Sequence, residues 1–417
     1  MVNRIIALGA LFCASASFGA GFQVLEQGAN NIGSAMAGAT TNASSDASAA
    51  FWNPSAAMFT QTQVGTVKVD AAMNFVIPSF EFEDDGRSVN PMGRSGNDGG
   101  NAGDLELIPN FFAVYRFAED FALTFSMTAP FGIGTEYDDN WIGRFQGIES
   151  RVTTYDVNPS IAWKVFDWLS VSAGASAQWL HAKLTQAVYL GYGMETRSQV
   201  TGDSWSAGAN IGATINYMEG GRIGFSWRTK VSHDITGNLK IAGVGHQGVN
   251  ANLTLPQTFN LGVYQRLGGD FRNFALMFDY SYTCWSSFES LVINSDATGS
   301  PVSYTNEDWK NVSRVAAGIH FYPDSIENLV LRFGVAWDES PVPNSARRTV
   351  RIPCSDRIWL TTGLGYEYKG ISLSVAYGYI IFYNDSDINA VEAPNNIVSG
   401  KYTGHSHIVS VQAGYAW

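Results

Sequence analysis

Two basic residues, Lys310 and Arg314, have the spacing expected of a site that binds an acidic group. They lie four positions apart in a segment with strand character, so both side chains should leave the same face. The opposite face is apolar and consists of Val315, Ala317, Ile319 and Phe321. The two cations could bind a carboxylate, or they could pair with acidic groups inside the protein, and the sequence leaves both possibilities open. Four more charged residues take the inward parity of their own strands: Asp279, Arg332, Asp338 and Arg357.

Residues for catalysis or metal binding show no recognisable arrangement. Of the 6 histidines, His320 has inward parity but no evident serine partner, and the others fall at strand ends or in loops. The sequence has no glycine-rich phosphate loop and no cysteine pair with metal-site spacing. It therefore predicts no catalytic residue, no metal and no cofactor. A serine hydrolase is the alternative from a different class.

The charged residues must be positioned by β-strands, and the clearest strand pattern lies at the end of the chain, from His407 to Trp417. One face of this segment is apolar and carries Val409, Val411, Ala413, Tyr415 and Trp417. The other face carries Ser410, Gln412, Gly414 and Ala416, which gives the alternation of a half-buried strand. A closed barrel in a membrane explains such an exposed apolar face, because lipid covers it and the first strand closes the edge.

The same alternation predicts fourteen antiparallel strands, in which short turns alternate with long polar loops. Their predicted ranges are 62–83, 106–118, 120–135, 150–166, 168–186, 200–218, 221–240, 251–267, 272–293, 308–322, 328–340, 354–369, 371–386 and 403–417. An even strand count places both termini on the side of the short turns, the periplasm in outer-membrane barrels. We expect an all-β fold, a fourteen-stranded antiparallel transmembrane β-barrel in the bacterial outer membrane. A soluble β-sandwich is the rival, although its strands are usually shorter.

The front of the chain is consistent with export. Residues 1–19 are typical of a secretory signal peptide, because Arg4 is followed by a short apolar core and then by small residues. The net charge of −12 argues against nucleic-acid partners. After the signal only Cys284 and Cys354 remain, so no disulfide framework is indicated, while a single bond between them stays open.

The segment between the signal and the first strand is rich in small residues and lacks strand periodicity. Two parts of it, residues 20–24 and 46–55, resemble the amino-terminal hatch of the FadL family of outer-membrane transporters for long-chain fatty acids and other hydrophobic compounds. Asn53 and Pro54 match the family's Asn-Pro-Ala motif, in which Ser55 replaces the alanine. The resemblance implies a hatch, or plug, of residues 20–59 inside a barrel of residues 60–417.

The resemblance continues along the chain in family order. Its further blocks begin at Pro109, Pro130, Leu255, Tyr282, Asp338 and Ile352. A general diffusion porin, the third class considered, would normally carry more lumen charges and would lack a hatch. The family pattern therefore favours a transporter with a closed lumen over an open pore.

A possible opening in the wall is predicted at Pro130, Phe131 and Gly132. Proline cannot donate to a β-ladder, and with Gly132 beside it strand pairing should fail locally. An ordinary strand end near the loop is the simpler explanation. Family members that resemble this chain have a kinked third strand that opens the wall sideways, which favours a lateral opening for apolar ligands.

The resemblance also implies the position of a ligand pocket. Phe22 and Val24 would reach into it from the amino terminus, and Met277 and Trp285 would line it by inward parity. Lys310 matches a basic position that the family uses near its pocket. The family's other headgroup arginine is replaced by Gln186, so a neutral ligand is also open. On the outside, loops 136–149 and 187–200 form either a collecting groove or a self-packed cap.

These residues together predict a passive outer-membrane transporter for long-chain fatty acids or similar hydrophobic compounds. Ligand would be captured outside, held above the hatch and released sideways through the third strand. The alternative ligands are neutral aromatic or aliphatic hydrocarbons, and an outer-membrane lipase is the alternative enzyme. Expected partners are the ligand, outer-membrane lipid and the barrel-assembly machinery, which would recognise the carboxyl-terminal strand ending in Trp417. The resemblance also implies a monomer.

Overall fold

The computed structural model describes residues 20–61, 63–384 and 386–417, and its strands close into one antiparallel barrel of 14 strands. Eight strands are continuous: β1 Val67–Asp84, β2 Glu106–Tyr115, β4 Glu149–Phe166, β5 Leu169–Gly191, β6 Met194–Met218, β11 Leu329–Asp338, β12 Asp356–Tyr368 and β14 Asn396–Ala416. Six strands are interrupted: β3 Phe121–Thr128 and Gly132–Glu136, β7 Gly221–Arg228 and Val231–Ile241, β8 Gly245–Leu255 and Thr258–Arg266, β9 Phe274–Thr283 and Ser290–Ser295, β10 Pro301–Asn306 and Val312–Phe321, and β13 Ile371–Tyr383 and Asp387–Ala393. The predicted fold class is confirmed.

The barrel closes where β14 pairs with β1, in a register that runs from Lys68 opposite Ala416 to Asp84 opposite Gly400. The two faces of β14 divide as predicted. Val411 and Tyr415 are exposed on the outside, whereas Ser410 and Gln412 are buried in the lumen. The alternation seen in the sequence is therefore the division between a lipid-facing surface and a lumen.

The hairpin of β5 and β6 reaches further than predicted. Its strands continue to Gly191 and Met194, which lie opposite each other. The turn between them is Tyr192-Gly193, and both residues have a positive φ, of 52° and 73°. Two consecutive positive φ values define a two-residue turn that matches the twist of paired strands. The polar residues that suggested a long loop are thus the outer part of the strands.

The segment that precedes β1 is folded into short helices inside the barrel, where the hatch was predicted. They are α1 Ala29–Ile32, α2 Ala49–Trp52, a 3₁₀ turn Pro54–Ala56 and α3 Ala57–Thr60. Two further 3₁₀ turns, Gly269–Phe271 and Trp285–Ser287, belong to the barrel. None of the described helices is long and apolar enough to cross a membrane.

Two wall carboxylates hold the hatch by its backbone. Asp279 of β9 accepts hydrogen bonds from the amides of Gly38 at 2.6 Å and Thr40 at 3.1 Å. Asp70 of β1 accepts one from the amide of Ala47 at 2.8 Å. Buried amide donors are costly when unpaired, so these bonds fix the hatch at a particular height in the lumen.

Close approach of the hatch to the wall also depends on glycine. At Gly334 of β11, a Cβ would come within 2.1 Å of the carbonyl carbon of Ser34. A larger residue there would push the hatch away from the wall. The inward parity predicted for Asp279, Arg332, Asp338 and Arg357 is confirmed, because all four are buried.

Candidate functional site

The wall is broken in β3, between Thr128 and Gly132. On one side, β3 remains paired with β4 below and above the break. On the other side, pairing with β2 ends at Phe111 opposite Met127, although β2 itself continues to Glu106. Pro130 lies within the break and has no amide hydrogen to donate. The break therefore leaves a stretch of β3 without its neighbour in the wall.

The amino-terminal end of the hatch pairs with this broken stretch. The amide of Val24 donates to the carbonyl of Pro130 at 2.8 Å, and the amide of Gly132 donates to the carbonyl of Phe22 at 2.9 Å. Gln23 lies opposite Phe131 in an antiparallel bridge. The first described residues of the chain thus act as a short substitute strand on the inside of the wall.

The side chain of Phe22 enters a box of four aromatic rings. Its ring centroid lies 4.7 Å from Trp285, 5.8 Å from Phe288 and from Trp309, and 6.1 Å from Phe131. Phe22 is only 1% exposed. We call the four residues around it, Phe131, Trp285, Phe288 and Trp309, the aromatic box. Trp285 was predicted from parity although it lies in a 3₁₀ turn beyond the end of the strand, whereas Phe288 and Trp309 lie in irregular segments and were missed.

A small cavity adjoins the break. Its volume is about 60 Å³, well below the ~300–1,000 Å³ of a typical small-molecule pocket. Its lining includes Val24 and Leu25 of the hatch together with Pro130 and Phe131 of the break. A ligand the size of a fatty acid can enter this cavity only if the residues that line it move.

Met277 and Arg314 face inward as predicted, but they contact the hatch rather than the box. The Nη2 atom of Arg314 donates to the carbonyl of Ala35 at 3.0 Å. Met277 belongs to the apolar core around the hatch, and its side chain approaches Gly38. Both residues therefore stabilise the closed hatch in this structure.

The expectation that Lys310 shares the inward face of Arg314 is wrong. Residues 307–311 interrupt β10, so parity cannot be carried from Arg314 back to Lys310. The Lys310 side chain is 46% exposed and its Nζ lies 2.9 Å from Glu339 Oε1. This lysine forms a partly exposed ion pair here, and its contact with ligand stays a prediction.

Asn53 and Pro54 lie where the hatch contacts β6 of the wall. The Asn53 amide nitrogen donates to the carbonyls of Thr40 at 2.9 Å and Ala213 at 3.2 Å. Pro54 begins the 3₁₀ turn. Because Thr40 is also held by Asp279, these bonds link β6 with β9 through the hatch.

A cation does lie beside Gln186, although it comes from another part of the chain. Arg351, in the loop between β11 and β12, donates from Nη2 to Gln186 Oε1 at 2.6 Å and from Nη1 to Ser150 Oγ at 3.0 Å. Burial lowers the pKa of Arg351 to about 10, so it stays charged at neutral pH. Its neighbour Ile352 packs in the same apolar cluster as Phe22. No sequence pattern indicated Arg351, because a loop has no periodicity that fixes a direction.

Burial distinguishes the two alternatives left open for the outer loops, a collecting groove and a self-packed cap. Trp141, Ile142 and Phe145 are buried, so this loop is a self-packed cap. Tyr192 is fully exposed and Met194 is 55% exposed at the tip of the β5–β6 hairpin. Within the described residues, Cys284 and Cys354 are free thiols, and no cluster of His, Cys, Asp and Glu could hold a metal.

The barrel, the hatch and the box define the class of protein: an outer-membrane β-barrel with an internal plug. Residues 10–417 match the model of the family described as outer membrane protein transport protein (OMPP1/FadL/TodX). The chain belongs to this family.

Known proteins of similar sequence and structure agree. The chain is 27% identical over 416 residues to a long-chain fatty acid transport protein of Escherichia coli O6:H1, with 90% of each chain covered. It is 25% identical to outer membrane protein P1 of Haemophilus influenzae, covering 91% of this chain and 89% of the relative. Among solved structures, a Pseudomonas aeruginosa FadL homologue matches with a TM-score of 0.86 at 23% identity, covering 95% and 99% of the two chains. The toluene transporter TodX of Pseudomonas putida matches with a TM-score of 0.64 at 12% identity, covering 89% and 93%. These last two likenesses concern the fold.

Proposed function

We propose that this protein is a passive transporter that moves hydrophobic compounds through the outer membrane. The observation that carries the proposal is the substitute strand, residues 22–24, which closes the break in β3 while Phe22 fills the aromatic box. One movement of this strand would empty the box and uncover the wall. Ligand captured outside would take the place of Phe22 and leave sideways through the break.

The surroundings of the break support lateral release. An apolar groove of about 750 Å³ lies on the lipid-facing side, and its lining includes Met73, Phe111, Met127 and Leu373. Phe111 and Met127 are the last paired residues of β2 and β3. An apolar molecule that left through the break would therefore meet an apolar surface and avoid the aqueous periplasm.

Long-chain fatty acids are the ligands that we favour. Curated relatives with this name cover 90% of the chain, and Arg351 supplies a charged guanidinium near the apolar cluster that holds Phe22. Guanidinium binds carboxylates well because its N–H groups form a fork. Neutral hydrocarbons are the second candidate, because TodX, whose fold is similar, is named a toluene transporter and the box itself is uncharged.

Several related features belong to the same proposal. Residues 1–19, which lie outside the described residues, act as a cleaved signal peptide, and residues 20–59 act as the hatch of the barrel 60–417. The protein works as a monomer without catalytic activity or cofactor. The barrel-assembly machinery recognises the strand that ends in Trp417, and outer-membrane lipid surrounds the wall and receives released ligand.

A reversible cross-link tests the moving strand. Gln23 and Phe131 form a pair flanked by hydrogen bonds, and such pairs have Cα atoms ~4.5 Å apart, which suits a disulfide. The double variant with Gln23→Cys and Phe131→Cys is made in a background in which Cys284 and Cys354 are replaced by serine. Oxidation should stop uptake of radiolabelled oleate by cells, and reduction should restore it.

The matched control is a cross-link at the barrel seam, Ala71→Cys with Ala413→Cys, whose residues lie opposite each other. This pair should leave uptake unchanged in both redox states, because the seam does not move. Uptake that persists when the first pair is oxidised would refute the moving strand. The two single substitutions show how much the loss of either side chain contributes.

Ligand class is tested with purified protein in detergent. Trp285 and Trp309 lie in the box, so ligand should change their fluorescence. Oleate, toluene and hexadecane are titrated in turn. Saturable binding of oleate alone supports the fatty-acid assignment, binding of all three supports a general apolar channel, and binding of none contradicts the proposed function.

A further inference from the structure

A second cavity lies on the periplasmic side of the hatch and is much larger than the first. Its volume is about 910 Å³, and it shares no lining residue with the cavity behind the break. We call it the vestibule. Its wall comes from the ends of β7, β8 and β10–β13, and its roof includes Asn30, Ser44 and Ser45 of the hatch.

The vestibule contains cations without ionic partners. Lys68, Arg222, Arg266 and Arg332 line it, and among the described residues none of the four has a carboxylate oxygen within the 4.0 Å limit of an ion pair. A fifth cation, Arg272, is exposed and pairs with Asp324.

The acidic residues of the vestibule do not neutralise its interior. Glu327 and Glu367 are exposed at the mouth. Asp46 faces inward, where its carboxylate accepts hydrogen bonds from Asn30 at 2.6 Å and Gln412 at 3.0 Å, but its single negative charge offsets only one of the four cations. The deep part of the vestibule therefore keeps an excess of positive charge.

Arg332 is the deepest of these cations. It is 4% exposed, and its Nε and Nη1 atoms are enclosed without a hydrogen-bond partner. Gly365 leaves room for the guanidinium, because a Cβ there would lie 2.5 Å from Nη1. His320, directly opposite in the register, also has an enclosed nitrogen, Nε2, without a partner. Buried polar groups are normally paired, so the two enclosed guanidinium nitrogens of Arg332 lack an acceptor at this end of the vestibule.

We propose that the vestibule is a binding site for a small oxyanion, with Arg332 as its principal ligand. A guanidinium group remains charged, and its hydrogen bonds to carboxylate or phosphate oxygens are stronger than hydrogen bonds between neutral groups. Arg266 and Arg222 add positive charge, and the polar residues of the hatch roof lie within the same cavity. An anion held there bridges the wall and the hatch from the periplasmic side. The ligand is a carboxylate or a phosphate small enough to enter the short-turn end of the barrel.

Titration calorimetry of the purified full-length protein in an uncharged detergent tests this site. Inorganic phosphate and hexanoate are the two probes, and they separate phosphate from carboxylate ligands. We expect saturable binding of at least one probe. Arg332→Gln should weaken that binding by roughly tenfold to a hundredfold, the range for one charge-assisted contact. Arg332→Lys should recover part of the loss.

The matched control is Arg272→Gln, which removes one positive charge at the mouth of the same vestibule and should change affinity by less than about twofold. Equal losses in Arg332→Gln and Arg272→Gln would mean diffuse attraction and would overturn the site. The absence of saturable binding of either probe to the wild-type protein would overturn it as well.

Folding and transport are checked separately. Migration of unheated protein on a denaturing gel reports whether the barrel of each variant is intact. If Arg332→Gln does not fold, the rise in the wild-type melting temperature with added phosphate or hexanoate decides the question, and no rise overturns the site. Oleate binding at the aromatic box should be the same in Arg332→Gln, so a failure of this site and a failure of the proposed transport are distinguishable.

Discussion

Replacing Phe22 by alanine is the most direct test of how the pocket is kept closed. In the present structure its ring fills the aromatic box, and the cavity that adjoins the break has a volume of only about 60 Å³. A ligand must displace this ring, so the closed state competes with binding. Phe22→Ala removes the competitor while the four rings of the box remain, and the apparent affinity for ligand should rise.

The size of the effect follows from the packing. Truncating a buried phenylalanine usually costs about 3–5 kcal/mol, and the ring has four aromatic neighbours within 6.1 Å. If about 3 kcal/mol of this favours the closed state, the open state is populated below about 1%, and apparent affinity is reduced by the same factor. Phe22→Ala should therefore strengthen binding of oleate or toluene by up to about a hundredfold.

The assay is quenching of tryptophan fluorescence by ligand in detergent, with Phe80→Ala as the matched control. Phe80 is a buried ring of the same size in β1 that packs against Phe382, in a different apolar cluster from Phe22. Its removal should leave affinity within about threefold, because it does not compete for the box. Weaker or unchanged binding in Phe22→Ala would refute the displacement model and would make Phe22 part of the wall that the ligand contacts.

Three further substitutions test other contacts. Asp279→Ala leaves the amides of Gly38 and Thr40 without an acceptor, which costs about 1–3 kcal/mol for each amide. Hydrogen exchange of these two amides should therefore accelerate at least about tenfold, and unchanged exchange would show that Asp279 does not anchor the hatch. Lys310→Ala breaks an exposed pair and should leave oleate affinity within about twofold, and a large loss would restore the lysine to the site. Arg351→Gln should weaken oleate binding by roughly tenfold to a hundredfold but spare toluene, and equal effects on both ligands would exclude a headgroup contact. Oleate affinity of the wild type should fall as pH rises through about 10, the pKa of Arg351, because the cation exists below that value, and the variant should lack this fall.

The wall of the barrel could be predicted from sequence because lipid and lumen impose opposite demands on alternate residues. Val411 and Gln412, for example, differ in polarity and lie on opposite faces. The same argument failed at Lys310, because parity holds only while a strand is continuous and residues 307–311 interrupt β10. Strand ends were also misplaced at the β5–β6 hairpin, where polar residues continue the strands beyond the membrane.

The interior of the barrel was much less predictable. Small residues marked the hatch, but nothing local showed that Asp279 would hold Gly38 and Thr40 across the lumen. Arg351 reaches Gln186 from a loop 165 residues further along the chain. Such contacts depend on the closed barrel, and no short-range pattern in the sequence encodes them.

The seam between β1 and β14 has a consequence for how the molecule comes into being. Lys68 pairs with Ala416, so closing the barrel joins its first strand to its last. Contacts of such long sequence separation form slowly, because a large loop entropy must first be overcome. Until then the outer edges of the first and last strands are unpaired and can template aggregation. Biogenesis must therefore keep the newly exported polypeptide apart from its copies until the final hairpin has arrived.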